Sequence, residues 1–436
     1  MTRLLCVVLA LGLVACDSDD GGTDAGGGGG TDAGPAGADA GGGGVPVDVV
    51  FALVDGDAPV AGATAAMDRP DGTREELVSD ASGQVTFSVD WAAGAHAFAF
   101  HADGYTIAAA TDVTAESVAP YLADGPFEIP MGRNAPRDDL VTLSGTITGG
   151  SSPSSGFAVY PAAPGSEPYQ AMGPDFEIMV PPGEAFRATV FEFTNASMGP
   201  NEYTQTFLGF RYIDIDALSA DSMQDIDLTD GAETLTEVDV TVTAPGMGTP
   251  LADGRVYATV TERGTGEVHG AASAAAPSGA DVSLTIAFAT PAFATDPITT
   301  YNLSDEPLGS TVTVDGVPTA GTAPVEFLTP PDIVTPSFGT AHGLYDPIVL
   351  GRIAPGVRTQ LIVQDASRED ITLMNVASLT GSETLTIPEP PSSASAADLF
   401  PAGADLYARP VSCEVDFDNR RCRRVSFGRR QFDLSP

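Results

Sequence analysis

Short segments in which apolar and polar residues alternate run through most of the chain. They are rich in Val, Thr, Ile and Phe, and clusters of Gly, Pro, Asp and Ser separate them. In residues 238–242 the valines occupy every second position, which places them on one face of an extended strand. Helical periodicity is nearly absent. The pattern predicts an all-β protein built of β-sandwich modules in series, with strands at residues 47–53, 84–89, 97–100, 142–148, 238–243, 282–288 and 359–363.

The first residues follow a different pattern. Arg3 precedes an apolar run over residues 4–14, which has the length of a signal-peptide core and is too short to span a bilayer. The run ends in Leu13-Val14-Ala15-Cys16, which resembles the bacterial lipobox. The resemblance implies that residues 1–15 are a removable lipoprotein signal peptide and that Cys16 carries the lipid. The alternative is an ordinary signal peptide with an incidental cysteine.

Residues 16–45 contain the cysteine and a segment dominated by Gly and Asp. Such a composition buries too little apolar surface to offset the entropy of ordering, so it predicts a disordered linker. Together with Cys16, this linker predicts an exported protein that is attached to a membrane, its partner, through a lipid anchor. The outer membrane or the cell surface is the favoured location. Asp17 resembles the inner-membrane retention signal of some bacteria, so the inner membrane stays open.

The charge is strongly one-sided. The chain has 59 Asp and Glu, 19 arginines and no lysine, for a net charge of −40. A charge of this sign argues against nucleic acid as a partner. The length after the linker suits several domains, and strand starts repeat at domain-sized spacing. The predicted units are residues 46–135, 136–236, 237–345 and 346–436, the last with a basic hairpin.

Three segments of the first unit carry a family resemblance. They are residues 55–65 (DGDAPVAGATA), residues 80–87 (DASGQVTF) and residues 101–105 (HADGY). They resemble the carboxypeptidase regulatory-like domain, a transthyretin-like β-sandwich, with turns formed at Gly62, Gly83 and Gly104. The unit at 136–236 keeps weaker echoes. The resemblance implies a structural or recognition module and carries over no catalytic residue.

Cys413 and Cys422 remain after export, in a compartment where disulfides persist. We expect them to form a disulfide that holds a terminal hairpin together. A four-residue loop at 416–419 would place Cys413 opposite Cys422 and Glu414 opposite Arg421.

Sites for chemistry are scarce in this sequence. It has no G-x-S-x-G elbow, no phosphate loop and no zinc-binding histidine motif, so we predict neither an enzyme nor a cofactor. The weak calcium candidates are Asp214, Asp216, Asp225 and Asp227, because carboxylates are hard ligands. The alternative is that alternating Asp and Ile mark strands with one solvated face. Trp91, the single tryptophan, is expected in or beside the core rather than in a sugar-stacking surface.

These observations favour a lipid-anchored cell-envelope protein with a non-enzymatic structural or adhesive role. Its partner would be an unknown envelope protein or glycan. The alternative is a carbohydrate-binding accessory lipoprotein of a degradative or uptake system, for which exposed coplanar aromatic residues would be the structural sign.

Overall fold

The structure is a computed structural model. It describes residues 45–435 except 56–57, 123–124, 133–139, 153–154, 164–165, 167–168, 184, 200–201, 230–232, 244–254, 264, 276–280, 306–307, 321–323, 338–339, 341, 354–356, 366–370, 395–405, 417–420 and 429–432. The described residues form an all-β protein of sandwich type, as the alternation predicts.

Four groups of strands pack into sandwiches. The first comprises β1 (Val47–Asp55), β2 (Ala58–Pro59), β3 (Thr64–Asp68), β4 (Arg74–Val78), β5 (Gln84–Val89), a 3-10 turn (Trp91–Ala93), β6 (His96–His101), β7 (Ile107–Val113), α1 (Ala115–Leu122) and β8 (Phe127–Pro130). The second comprises β9 (Val141–Thr148), β10 (Gly156–Pro161), β11 (Tyr169–Ala171), β12 (Asp175–Val180), β13 (Phe186–Gly199), β14 (Glu202–Ile215), β15 (Ser222–Met223) and β16 (Ile226–Asp227).

The other two sandwiches follow along the chain. The third comprises β17 (Thr236–Thr243), β18 (Arg255–Glu262), β19 (Val268–Ala275), β20 (Asp281–Phe288), β21 (Pro297–Asp305), β22 (Leu308–Asp315) and β23 (Val325–Glu326). The fourth comprises β24 (Asp332–Thr335), β25 (His342–Gly343), β26 (Ile348–Gly351), β27 (Arg358–Asp365), β28 (Ile371–Ser378), β29 (Thr384–Leu385), β30 (Leu406–Asp416), β31 (Arg421–Phe427) and β32 (Asp433–Ser435).

The predicted strands are confirmed, because each of the seven segments lies within a strand of the structure. In β17 the side chains of Val240 and Val242 are buried, as period-two alternation requires. The domain boundaries inferred from the sequence stay predictions.

One hydrogen-bonded sheet supplies a layer to all four sandwiches. Its strand order is β4-β3-β6-β7-β28-β27-β30-β31-β22-β21-β18-β19-β14-β13-β10-β11. Smaller sheets close three of the cores from the other side: β1 with β2, β5 and β8; β9 with β12, β15 and β16; and β24 with β26 and β29. The third core is closed by a branch of the shared sheet, in which β20 pairs with β19 and with β17, and β17 with β23. The chain is therefore a set of sandwiches that share a layer.

The first and fourth sandwiches meet through a parallel strand pair. Met374 lies opposite Ile107 and Val376 opposite Ala109 where β28 pairs with β7. The residues Ala99, Ile107 and Ala109 of the first sandwich belong to the same buried apolar cluster as the core of the fourth. A shared core of this kind makes the two sandwiches one packing unit.

Polar contacts reinforce this union at the edge strand β4. One guanidinium nitrogen of Arg74 donates to the carbonyl oxygens of Glu389 (3.0 Å) and Pro390 (2.8 Å). The backbone N–H of Ser392 donates to a carboxylate oxygen of Glu76 at 2.9 Å. Nδ1 of His101 lies 3.1 Å from the hydroxyl of Ser393. Side chains of β4 and β6 thus hold the segment 389–393 of the fourth sandwich against the first.

A row of buried hydroxyl side chains crosses the shared sheet at right angles to the strands. Neighbouring strands pair these residues directly, in the order Thr111, Ser378, Thr359, Ser412, Ser426 and Ser310. Thr359 donates to the carbonyl oxygen of Ser382 at 2.9 Å, and Ser426 donates to that of Thr329 at 3.1 Å. Through these two hydrogen bonds the hydroxyl row holds two connecting segments, at Ser382 and Thr329, against the sheet.

Candidate functional site

The cysteine predictions have two outcomes. Cys16 lies outside the described residues. Cys413 and Cys422 are joined by a disulfide, with their Cα atoms 5.5 Å apart, so the pairing is confirmed.

The predicted register of this hairpin is wrong. Val415, not Cys413, lies opposite Cys422, and Glu414 lies opposite Arg424 rather than Arg421. Two causes combine: the strands already pair at Asp416 and Arg421, although Asp416 is the first residue of the predicted loop, and a β-bulge then adds one residue to β31 between Val415 and Glu414. The ion pair of Glu414 consequently forms with Arg424, and this hydrogen bond lowers the pKa of the Glu414 carboxyl.

The four calcium candidates lie apart, each in its own setting. Asp214 forms an ion pair with Arg187 at 2.7 Å, while Asp216 is exposed beyond the end of β14. Asp225 accepts the backbone N–H of Thr146 at 2.9 Å. Asp227 accepts the backbone N–H of Thr229 at 2.9 Å and its hydroxyl at 2.8 Å. Among the described residues no group of three or more metal-ligating side chains forms.

The two histidines of the first sandwich are buried. His96 faces the ring of Trp91 edge-on, with centroids 5.4 Å apart, and Trp91 packs partly buried against the core. Burial lowers the pKa of both His96 and His101. Both therefore stay neutral at neutral pH.

The ion pair of Asp214 borders a cluster of polar and aromatic residues between the second and third sandwiches, in which Glu262 and His269 are buried and Phe293 is exposed. We call it the junction cluster, and its members are Arg187, Tyr212, Glu262, His269 and Phe293. Strands β13 and β14 supply Arg187 and Tyr212. Strands β18 and β19 supply Glu262 and His269, and Phe293 follows β20. The guanidinium of Arg187 lies 4.3 Å from the ring centroid of Phe293, within cation–π range.

The polar centre of the cluster has the order carboxylate, imidazole, phenol. The hydroxyl of Tyr212 lies 2.6 Å from Nδ1 of His269, and Nε2 of His269 lies 3.5 Å from Oε2 of Glu262. Oε1 of Glu262 accepts hydrogen bonds from the backbone N–H of Thr295 (2.9 Å), its hydroxyl (2.7 Å) and the backbone N–H of Asp296 (2.7 Å). These bonds fix the carboxylate, which in turn orients the imidazole.

Burial sets the protonation of this row. It raises the pKa of Tyr212 above its usual value, and the nearby Glu233 and Glu267 act in the same direction. Burial lowers the pKa of His269 against the opposing effect of Glu262. Although burial alone would raise the pKa of Glu262, the bonds from Asp296 and Thr295 lower it. Tyr212 therefore stays protonated and can donate a hydrogen bond to Nδ1 of the neutral His269, while Nε2 of His269 faces the carboxylate of Glu262.

The carboxylate, the imidazole and the phenol follow one another as in a catalytic relay. Here, however, they lie between two sandwiches, and their contacts join the two modules. His269 is fully buried, and a phenol with a raised pKa is a poor nucleophile. Around it, aromatic residues of the second sandwich pack against small residues of the third, in a cluster comprising Ala158, Phe191, Phe193, Phe207, Phe210, Val268, Ala271, Ala287 and Ala289. The cluster joins two sandwiches through the hydrogen bond between Tyr212 and His269, while Nε2 of His269 and Oε2 of Glu262, 3.5 Å apart, have no closer partner among the described residues.

Sequence reasoning missed this cluster, although one signal was present. Strand β18 alternates, and Val256, Ala258 and Val260 are its buried positions. Glu262 continues the same phase, so its carboxylate points inward. A carboxylate on the apolar face of an alternating strand requires a buried partner.

Two further structural observations bear on function. The described helices include none with the length and apolar character of a membrane-spanning helix. Among the described residues the large exposed aromatic side chains are Phe293 and Tyr345, which belong to different sandwiches. Phe293 is engaged by Arg187, so these two residues form no coplanar sugar-stacking surface.

Comparison with known proteins places the chain in no family. No protein-family model matches it, and no curated protein does. A solved structure, "The Bacillus anthracis TIE protein", aligns with 65% of this chain and 49% of its own, at 9% identity and a TM-score of 0.17. This chain therefore spans about half the length of that structure, and so low a score carries no argument.

Proposed function

We propose that this chain is a lipid-anchored cell-envelope protein whose body acts as a non-enzymatic scaffold with a structural or adhesive role. The lipobox-like Leu13-Val14-Ala15-Cys16 and the Gly-rich segment after it support the anchor. A flexible spacer of this kind lets a folded body reach away from a membrane surface.

The observation that carries the scaffold role is the sheet shared by the first and last sandwiches. Because β7 pairs with β28, the first and last sandwiches of the described chain are held in one body instead of forming separate domains. Apolar cores fill each sandwich and the junction between the second and third. Such packing suits a protein that must hold loops in fixed positions for a partner.

The anchor is tested with two cysteine variants of the full chain in a bacterial host. We expect Cys16→Ser to lose lipid labelling and to leave the detergent-extracted membrane fraction. Cys6→Ser is the matched control, since it changes the other cysteine of the same segment and should leave both readouts unchanged. Equal membrane recovery and equal mass for both variants would contradict the anchor.

The adhesive role is tested by zero-length carbodiimide cross-linking on intact cells. This reagent joins carboxylates to amines, and the chain has no lysine, so apart from its N-terminus it can only cross-link to amines of other molecules. We expect discrete conjugates with an envelope partner that disappear when lysine-blocked cells are used. Absence of any conjugate on intact cells, with the protein present, would contradict adhesion to an envelope protein.

A further inference from the structure

A groove opens where the shared sheet forks in the third sandwich. Strand β19 pairs with β20 only at Gly270 and Ala271, and with β14 only at Ser273. At Gly270 the strands touch so closely that an added Cβ would lie 2.2 Å from the Cβ of Phe288. Strands β14 and β20 both flank β19, and their residues line a groove of about 160 Å³.

The lining of the groove is rich in hydrogen-bond acceptors. It comprises Thr206, Phe207, Glu237, Ser273, Ala274, Ser283, Leu284, Thr285 and Ala287. Thr285 donates its own proton to Asp239 at 2.7 Å, which leaves its oxygen as an acceptor. Glu237 adds an exposed carboxylate, and no cationic side chain is among these lining residues.

Ser273 gives the groove an unsatisfied polar group. It is 3% exposed, and its hydroxyl oxygen has no hydrogen-bond partner within the described part of the chain. It lies on the same face of β19 as Ala271, which packs with Phe207 and Ala287, two residues of the groove wall. A buried hydroxyl without a partner costs stability, so it indicates a position where a ligand group can supply one.

We propose that this groove binds a primary ammonium group carried on a short aliphatic chain, as in a lysine side chain of an envelope partner. Phe207 and Ala287 offer apolar contact to the stem. Glu237, Ser273 and Thr285 offer acceptors to the three ammonium hydrogens. The proposal rests on the adhesive role only for the identity of the partner.

Charge and composition point to the same ligand class. The net charge of −40 attracts cations and repels phosphate, sulfate and carboxylate groups. Since the chain contains no lysine, its own side chains do not compete for the groove. A neutral sugar is the competing ligand, but it would leave the carboxylate of Glu237 without a counter-charge.

The test uses the purified full chain labelled at its alanine methyl groups. n-Butylammonium is titrated and the methyl resonances of Ala271 and Ala287 are followed by NMR. We expect saturable shifts at both, and binding by n-butanol weaker by about tenfold or more, because the charge-assisted hydrogen bonds are lost. Glu237→Gln should weaken the ammonium about tenfold, and Ser273→Ala should weaken it by a smaller factor.

Matched controls separate a built site from general attraction to an acidic surface. Glu177→Gln removes an exposed carboxylate of the second sandwich and should leave the affinity unchanged. Equal binding of alcohol and ammonium, an unaffected Glu237→Gln variant, or tighter saturation by glucose would overturn the proposal. These measurements do not depend on the lipid. A negative result for ammonium binding therefore leaves the proposed lipid anchor untouched, and a negative result for the anchor leaves the proposed groove untouched.

Discussion

The hydroxyl of Tyr212 lies 2.6 Å from Nδ1 of His269, and this contact joins a strand of the second sandwich to a strand of the third. Its length is that of a strong hydrogen bond. The bond is surrounded by aromatic and small apolar side chains, so water cannot easily replace it.

Removing the phenol oxygen should therefore lower the stability of the folded protein. Tyr212→Phe leaves Nδ1 of the fully buried His269 without its donor, and we expect a loss of about 1–3 kcal/mol in the free energy of unfolding. Urea unfolding followed by fluorescence measures it. Tyr345→Phe, at a ring that is 37% exposed, is the control and should change the value by less than about 0.5 kcal/mol. Equal effects of the two variants would show that the contact does not stabilise the junction.

The same cluster predicts how stability depends on pH. Burial lowers the pKa of His269 in the folded protein, whereas in the unfolded chain it titrates near its ordinary pKa of about 6.5. Below that pH the unfolded chain binds the proton and the folded chain does not, so stability falls as pH falls until the lower folded pKa is reached. His96 and His101, with pKa values lowered by burial, act in the same direction.

We expect His269→Gln to flatten the decline in unfolding free energy between about pH 7 and about pH 5.5 relative to the parent. His342→Gln, which alters a partly exposed histidine of the fourth sandwich, should keep the parental slope. Parallel curves for all three proteins would refute a role for His269.

Gly83 predicts a steric effect in the first sandwich. Its φ is +71°, and an added Cβ would lie 2.6 Å from the carbonyl oxygen of Leu53. Gly72 has a similar φ of +81° but nothing within 4 Å of that position. Gly72→Ala should cost about 1–2 kcal/mol for the left-handed backbone, and Gly83→Ala clearly more, because backbone must also move. Thermal unfolding of both variants checks the difference.

The parallel pair β7–β28 predicts the behaviour of a cut chain. With a protease site inserted between Gly132 and Leu140, we expect the cleaved fragments to co-elute in size-exclusion chromatography, because the first sandwich shares its core with the fourth. Ala109→Glu places an unpaired charge in that core and should release the fragment. Val47→Glu, at an exposed position of the same fragment, should not. A wild-type fragment that elutes alone would contradict the shared core.

Alternation was sufficient to predict the class of the fold and many strands, since burial on one face forces period-two patterning. It could not predict that β7 would pair with β28, because any two alternating strands are compatible partners. The hairpin register failed for a similar reason. The strands pair from Asp416 and Arg421 onward, and a bulge then inserts one residue into β31; both change the pairing of Glu414 while leaving the pattern of residue types unaltered.

The junction cluster could be found only in the folded structure. Tyr212 and His269 are 57 residues apart, and no local spacing links them. The groove likewise exists only because two strands both flank a third. Predictions from residue spacing alone therefore found the disulfide, whose partners are nine residues apart, and missed the sites that distant strands assemble.

The late arrival of β28 has a consequence for the order in which the molecule can fold. Thr106, just before β7, donates to the carbonyl oxygen of Thr372 in β28, 266 residues further along the chain. Until β28 has been synthesised, β7 presents an unpaired edge and the apolar side chain of Ile107 to its surroundings. So high a contact order implies slow acquisition of the native state, and a newly made chain that needs protection from aggregation until its last quarter arrives.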